Sequence, residues 1–235
     1  ITMNFMNKNF YNTTKINGKG WNGLVIQQNN NEEIDLLNLV EKKPEKYPFF
    51  LESSSRGNVL NRYSIIFYKP KILLEKKNCK INFLNEFNYL WNQNKIEQEQ
   101  MIYKNQCIPF FGGWFIYLGY EIANEIEKKL VIPKSPYLLP DAFAARVCTS
   151  IVYDHIEKIV FLSSDKKKFS PDFDDILNDL FGPKIKDSNS SLKGSIKIYS
   201  KGTSDEHQSQ VRSCIDYIYQ GEIFQANLSR LWRFK

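Results

Sequence analysis

Residues 142–154, AFAARVCTSIVYD, and 158–164, KIVFLSS, flank a short turn at 154–157. Both runs are rich in β-branched and aromatic residues, and the gap is too short for a crossover helix. They therefore read as an antiparallel hairpin. Upstream, 20–28 (GWNGLVIQQ), 47–53 (YPFFLES), 62–68 (RYSIIFY) and 72–75 are further strand-like runs, with SSRGNVLN at 54–61 as a polar turn. Helical spacing appears in three places. Asn31 is placed to cap a helix over 32–42. A second helix covers 82–98, with Phe83, Phe87, Leu90 and Trp91 on a core face. The third begins at the capping-box pair Thr203 and Glu206, carries Val211, Cys214, Ile215 and Ile218, and stops at Gly221. Two short helices are expected as well, at 121–127 after Gly119 and one ending at Phe181. Strands and hairpins with interspersed helices, rather than a regular βαβα alternation, predict an α+β fold with mainly antiparallel sheet. The three-proline segment 128–140 reads as an ordered loop, and 223–234 as a strand that needs a partner, made earlier in the chain or following it.

The composition sets limits. The chain has 235 residues, 42% hydrophobic and 14% aromatic, enough for one large core or two modest ones. The longest apolar run, 107–120, is broken by proline and glycine and is too short to span a bilayer. With no signal-like opening segment, the expectation is a cytoplasmic protein without a membrane partner. An initial Ile1, with Met3 behind it, suggests that the natural start lies elsewhere. The net charge of +6 comes from dispersed lysines, and 166–168 is the single tight basic run. Without interleaved aromatics it reads as a solvated loop, not a nucleic-acid site. Cysteines at 79, 107, 148 and 214 lack zinc-like or redox-like spacing and read as reduced thiols.

Searches for catalytic motifs return little. No phosphate-binding glycine loop, dinucleotide fingerprint, histidine metal motif or nucleophile elbow is present. The two histidines, His155 in the hairpin turn and His207 in a first helical turn, read as structural or solvent-facing, so neither supports a nucleophilic triad.

Five stretches taken together do carry a signal: PFFLES at 48–53, RYSII at 62–66, PFFGGWFIYLGYEIANEIE at 109–127, PDAFAARVCTSIVYDH at 140–155 and GEIFQANLSR at 221–230. In order and spacing they resemble the first half of the chorismate-utilising enzymes, most like component I of aminodeoxychorismate synthase and next most like that of anthranilate synthase. The resemblance implies an α+β, antiparallel β-sheet sandwich with surrounding helices over 1–165, a linker with a short helix over 166–203, and the beginning of a chorismate-binding domain over 204–235. It also implies chorismate as substrate, a glutamine amidotransferase as partner and Mg²⁺ as cofactor of the complete enzyme. The family's catalytic lysine, histidine, arginines and acidic metal ligands belong to motifs absent from this sequence. GPKIK at 182–186 is a decoy for the lysine motif. Chorismate is a dicarboxylate whose hydroxyl must leave as nitrogen arrives, which requires cations and a positioned acid or nucleophile. The chain alone is therefore expected to be inactive, with no catalytic and no metal residues of its own.

A binding role is the remaining expectation. By resemblance, Leu51, Glu52 and Ser53 (after Phe50), with Arg62, Tyr63 and Ser64 on the neighbouring strand, border a pocket of the tryptophan-binding type. Gly112 and Gly113 read as a sheet entry or as surface near the amidotransferase contact. Glu121 stands where the family has aspartate. Gly221, Gln225, Asn227 and Ser229 belong to the last motif, with Gln225 and Asn227 reading as sheet organisers. The alternatives are the matching part of anthranilate synthase, or a non-catalytic module binding an amino acid or a partner subunit.

Overall fold

The computed structural model describes residues 11–29, 34–53, 61–77, 80–95, 97, 99–133, 135, 138–166, 169–182 and 197–234. The chain divides into two compact units, 1–184 and 185–235. The first runs through β1 (Tyr11–Gly18), β2 (Trp21–Gln28), α1 (Leu36–Lys42), β3 (Phe49–Leu51), β4 (Tyr63–Tyr68), β5 (Lys71–Lys76) and α2 (Phe83–Gln93). It continues with β6 (Ile102–Tyr103), β7 (Gln106–Cys107), β8 (Gly113–Leu118), a 3₁₀ turn at Tyr120–Ile122, α3 (Ala123–Ile126), β9 (Ala142–Val147), β10 (Thr149–Asp154), β11 (Ile159–Ser164) and α4 (Asp172–Phe181).

Six strands form one antiparallel sheet in the order β1-β2-β11-β10-β4-β3. Alternation sends Ile26, Ile66, Ile151 and Leu162 to one face, where α1 contributes Leu36 and Leu39 and α4 contributes Phe173, Ile176 and Leu177. Val25, Val152 and Phe161 point to the other face, covered by Met101 and Ile108 on either side of the β6–β7 hairpin. That hairpin closes through Lys104 and Asn105 at φ 48° and 63°, the two-residue left-handed turn that matches strand twist. A second antiparallel sheet, β5-β9-β8, meets the first where Phe49 and Phe67 pack on Phe115, with Phe49–Phe115 centroids 4.2 Å apart and nearly parallel. Its opposite face carries Phe83 of α2 and Ile122. The sheets thus form a sandwich over part of their area only, with the 101–111 segment filling the rest.

Several sequence expectations are corrected. Run 142–154 is not one strand: it breaks at Cys148, so that β9 pairs in the small sheet and β10 in the large one. α1 starts at Leu36, with Asp35 accepting from the Asn38 amide; Asn31 lies outside the described residues. α2 is capped by Asn82 but ends at Gln93, and Trp91 on its last turn is 44% exposed instead of core. The 121–127 helix opens as the 3₁₀ turn. α4, read as a linker helix, packs Phe173 and Ile176 into the main core at 1% and 0% exposure. The turn at 54–60 and Cys79 lie outside the described residues.

In the second unit, β12 (Ile198–Lys201), α5 (Ser204–Tyr219) and β13 (Trp232–Phe234) are described. Thr203 and Glu206 form the reciprocal capping box, and Gly221 at φ 76° follows the helix end. Of the strand read over 223–234, only Trp232–Phe234 forms a strand. It already has an antiparallel partner in β12.

Candidate functional site

The expected site residues come together because β3, β4 and β10 are neighbours. Leu51 lies opposite Ile65 across β3–β4, while Tyr63 and Ser64 lie opposite Asp154 and Tyr153 across β4–β10. The Ser53 amide donates to Ser64 Oγ at 3.0 Å, and the Ser53 hydroxyl donates to the Tyr63 carbonyl at 2.6 Å. Ser64 Oγ also lies 2.7 Å from His155 Nε2, and the His155 amide donates to the Arg62 carbonyl at 2.9 Å. The Tyr153 ring stands edge-on to His155 at 4.8 Å.

Arg62 is committed within the fold. Its Nε donates to both Asp154 oxygens at 3.0 and 2.9 Å, and its Nη2 to Oδ2 at 2.5 Å. Asp154, 2% exposed at its side chain, also accepts the Ile156 and Glu157 amides. A carboxylate gripped by a guanidinium fork and two amides satisfies the charge on both partners. The Asp154 bond holds the Arg62 guanidinium above its ordinary value, and burial followed by the Asp154 charge raises the Tyr63 hydroxyl. Leu51 and Glu52 remain exposed, whereas Ser64 is buried. A cavity of about 100 Å³ lies beside Arg62 and Asp154, closed by Glu157, Tyr103, Lys104 and Gln106. Ordinary ligand pockets run from roughly 300 to 1,000 Å³, so an indole would not fit in it.

The fold thus brings the expected residues of β3 and β4 together with Asp154 and His155, which sequence reasoning had set aside. The signal for them is the strand order, which places the β10–β11 turn against Arg62 and is not written in local pattern.

The paired glycines have a steric explanation. Gly112 holds φ 138°, and a Cβ there would come within 2.8 Å of Asp165. Asp165 is ion-paired with Arg146, whose Nη1 also donates to the Gly113 and Val147 carbonyls at 2.8 and 2.6 Å. The pair thus lies at the start of β8 beside the part-buried Arg146–Asp165 contact. Glu121 is half-buried in the 3₁₀ turn, its carboxylate against Gly119. In the second unit, Gln225 donates to Asn227 at 3.4 Å, and both are exposed, as is Ser229. Glu206, Gln210 and Cys214 of α5 with Asn227, Leu228 and Ser229 line an open groove of about 690 Å³.

The remaining charge cluster ties α4 to the main sheet. Asp175 accepts from Lys46 at 2.8 and 2.9 Å and from Tyr68 at 2.5 Å, while Asp179 accepts from Lys43, from Lys46 at 3.0 Å and from Tyr47 at 2.9 Å. Lys46, then Tyr68, hold the Asp175 carboxyl down at about 2. Burial works to raise Asp179, but the bonds from Lys43, Lys46 and Tyr47 outweigh it and leave its value lowered. Among the described residues no group of three or more His, Cys, Asp or Glu could hold a metal ion. Nor is any helix there long and apolar enough to cross a membrane.

Known proteins match this chain over most of its length. An anthranilate synthase component I-like protein from Synechocystis is 27% identical over 180 residues, 72% of this chain and 34% of that protein. Anthranilate synthase component 1 from Leptospira biflexa is 22% identical over 83% of this chain and 41% of its own length. A chloroplastic anthranilate synthase alpha subunit 2 from rice is 23% identical over 81% and 38%. The crystal structure of anthranilate synthase component I from Streptococcus pneumoniae aligns with a TM-score of 0.46 at 19% identity, covering 71% of this chain and 40% of that one. The chain thus spans between a third and about two-fifths of the length of the relatives it matches. The model of the chorismate binding enzymes matches residues 47–235, most of the sequence from β3 onward, and the chain belongs to that family.

Proposed function

We propose that the chain is the N-terminal part of component I of aminodeoxychorismate synthase, which with a glutamine amidotransferase replaces the 4-hydroxyl of chorismate by an amino group. The observation that carries this reading is the family match through GEIFQANLSR, combined with coverage of only a third to two-fifths of the relatives. Arg62 and Arg146 are both committed to internal carboxylates. Neither is therefore free to meet a carboxylate of chorismate. Among the described residues no cluster of His, Cys, Asp and Glu fits the Mg²⁺ that the family implies. The stretch at 109–127 with the proline-rich loop after it supports the aminodeoxychorismate branch. Anthranilate synthase is the second reading, supported by the names of all three relatives.

Within this reading, the strand end at Leu51, Glu52 and Ser53, fixed by Arg62, Tyr63 and Ser64, forms one wall of an amino-acid pocket of the tryptophan type. Its exposed Leu51 suits an indole face, and the larger space would be completed by residues beyond this chain. The deciding experiment supplies chorismate, ammonia and Mg²⁺ to the product of the full open reading frame. Aminodeoxychorismate as product supports the first reading. Anthranilate replaces it with the second, and no chorismate consumption by the full product removes both.

A further inference from the structure

The Ser64 hydroxyl joins two segments, the end of β3 and the β10–β11 turn. A hydroxyl has one hydrogen and two acceptor lone pairs. Ser64 is 1% exposed, and among the described residues Ser53 N and His155 Nε2 are the polar atoms bonded to its oxygen. The Ser53 amide can only donate, so one lone pair of Ser64 is taken. If His155 is neutral with its proton on Nδ1, Nε2 accepts the Ser64 hydrogen, and the Ser53 amide and the Ser64 hydroxyl are both matched. If Nε2 carries a proton, the Ser64 oxygen faces two donors and its own buried hydrogen has no acceptor among the described residues.

We infer that His155 is a positioning residue: as the neutral imidazole protonated on Nδ1 it accepts the Ser64 hydrogen at Nε2 and so turns the Ser64 oxygen toward the Ser53 amide, holding the end of β3. The effect on ligand binding rests on the amino-acid pocket proposed above: without this bond a loosened Ser53 would weaken tryptophan affinity.

The test uses the full 235-residue chain, labelled with ¹⁵N. The ring-nitrogen shifts of His155 should show Nε2 unprotonated and Nδ1 protonated. In His155→Ala the protection factor of the Ser53 amide should fall by about tenfold or more. In His155→Gln, whose carboxamide oxygen accepts the same bond, that fall should be absent. A protonated Nε2, or an equal loss of protection in both variants, overturns the inference; the ring-nitrogen measurement decides it even if a variant fails to fold. Calorimetric titration of the product of the full open reading frame with tryptophan is read separately. No heat there removes the pocket reading while the ring and amide results stand in support of His155.

Discussion

Removing the Asp179 carboxylate tests whether α4 belongs to the core. Asp179 is 1% exposed at its side chain and holds Lys46, which is 23% exposed, together with the hydroxyl of the fully buried Tyr47. In Asp179→Ala the Tyr47 hydroxyl loses its acceptor in a site that water does not reach, a loss of about 1–3 kcal/mol. Lys46 and the more exposed Lys43 can partly rehydrate, so their share is about 1 kcal/mol. The expected total is about 3 kcal/mol, which for a unit of this size corresponds to a fall in Tm of roughly 6–12 °C. Asp179→Asn keeps an acceptor for Tyr47 and should cost about 1–2 kcal/mol, placing it between the wild type and the alanine variant. Urea unfolding followed by circular dichroism gives both numbers, with the slope checked for constancy. An alanine variant within about 0.5 kcal/mol of the wild type, the range of an ordinary surface change, would refute the reasoning and return α4 to the role of a linker helix.

Acid should unfold the first unit through the same contacts. Asp175, Asp179, Asp172 and Glu125 are all lowered in the fold, the first mainly by Lys46 and the other three by hydrogen bonds that outweigh burial. Groups depressed in this way contribute fully above the unfolded values near pH 4, and the contribution is lost as pH falls toward the folded values, about 2 for Asp175. A pH series of urea midpoints should therefore drop between about pH 4 and 2 and be shallower in Asp175→Asn. Gly112→Ala should destabilise by about 1–3 kcal/mol, since its Cβ would meet Asp165 at 2.8 Å from a backbone at φ 138°; an unchanged Tm would show that Asp165 moves freely. Glu125 accepts the Phe83 and Leu84 amides at 2.9 Å each and pairs with Lys76, so Glu125→Ala should cost about 2 kcal/mol and loosen the first turn of α2 in hydrogen exchange. By contrast Trp91→Ala, at an exposed position on the last turn of the same helix, should stay within about 1 kcal/mol in the same assay.

What local pattern encodes was legible in the sequence: the strands β2, β4 and β11, the capping box Thr203–Glu206, the glycine after α5, and the serial motifs that mark the family. Each depends on residues a few positions apart, where side-chain periodicity and capping chemistry act directly. That the expected residues of β3 and β4 lie side by side was legible for the same reason, as two short motifs on successive strands. Tertiary structure alone decided the rest. The break at Cys148 follows from two sheets claiming the two halves of one apolar run, and the partner of β13 is a strand more than thirty positions earlier. The commitment of Arg62 to Asp154 and of Ser64 to His155 spans about ninety residues, a distance that only strand order closes. Whether a serine, an arginine or a short acidic helix is a ligand group or an internal brace depends on what the fold places against it, and no periodicity within the chain carries that information.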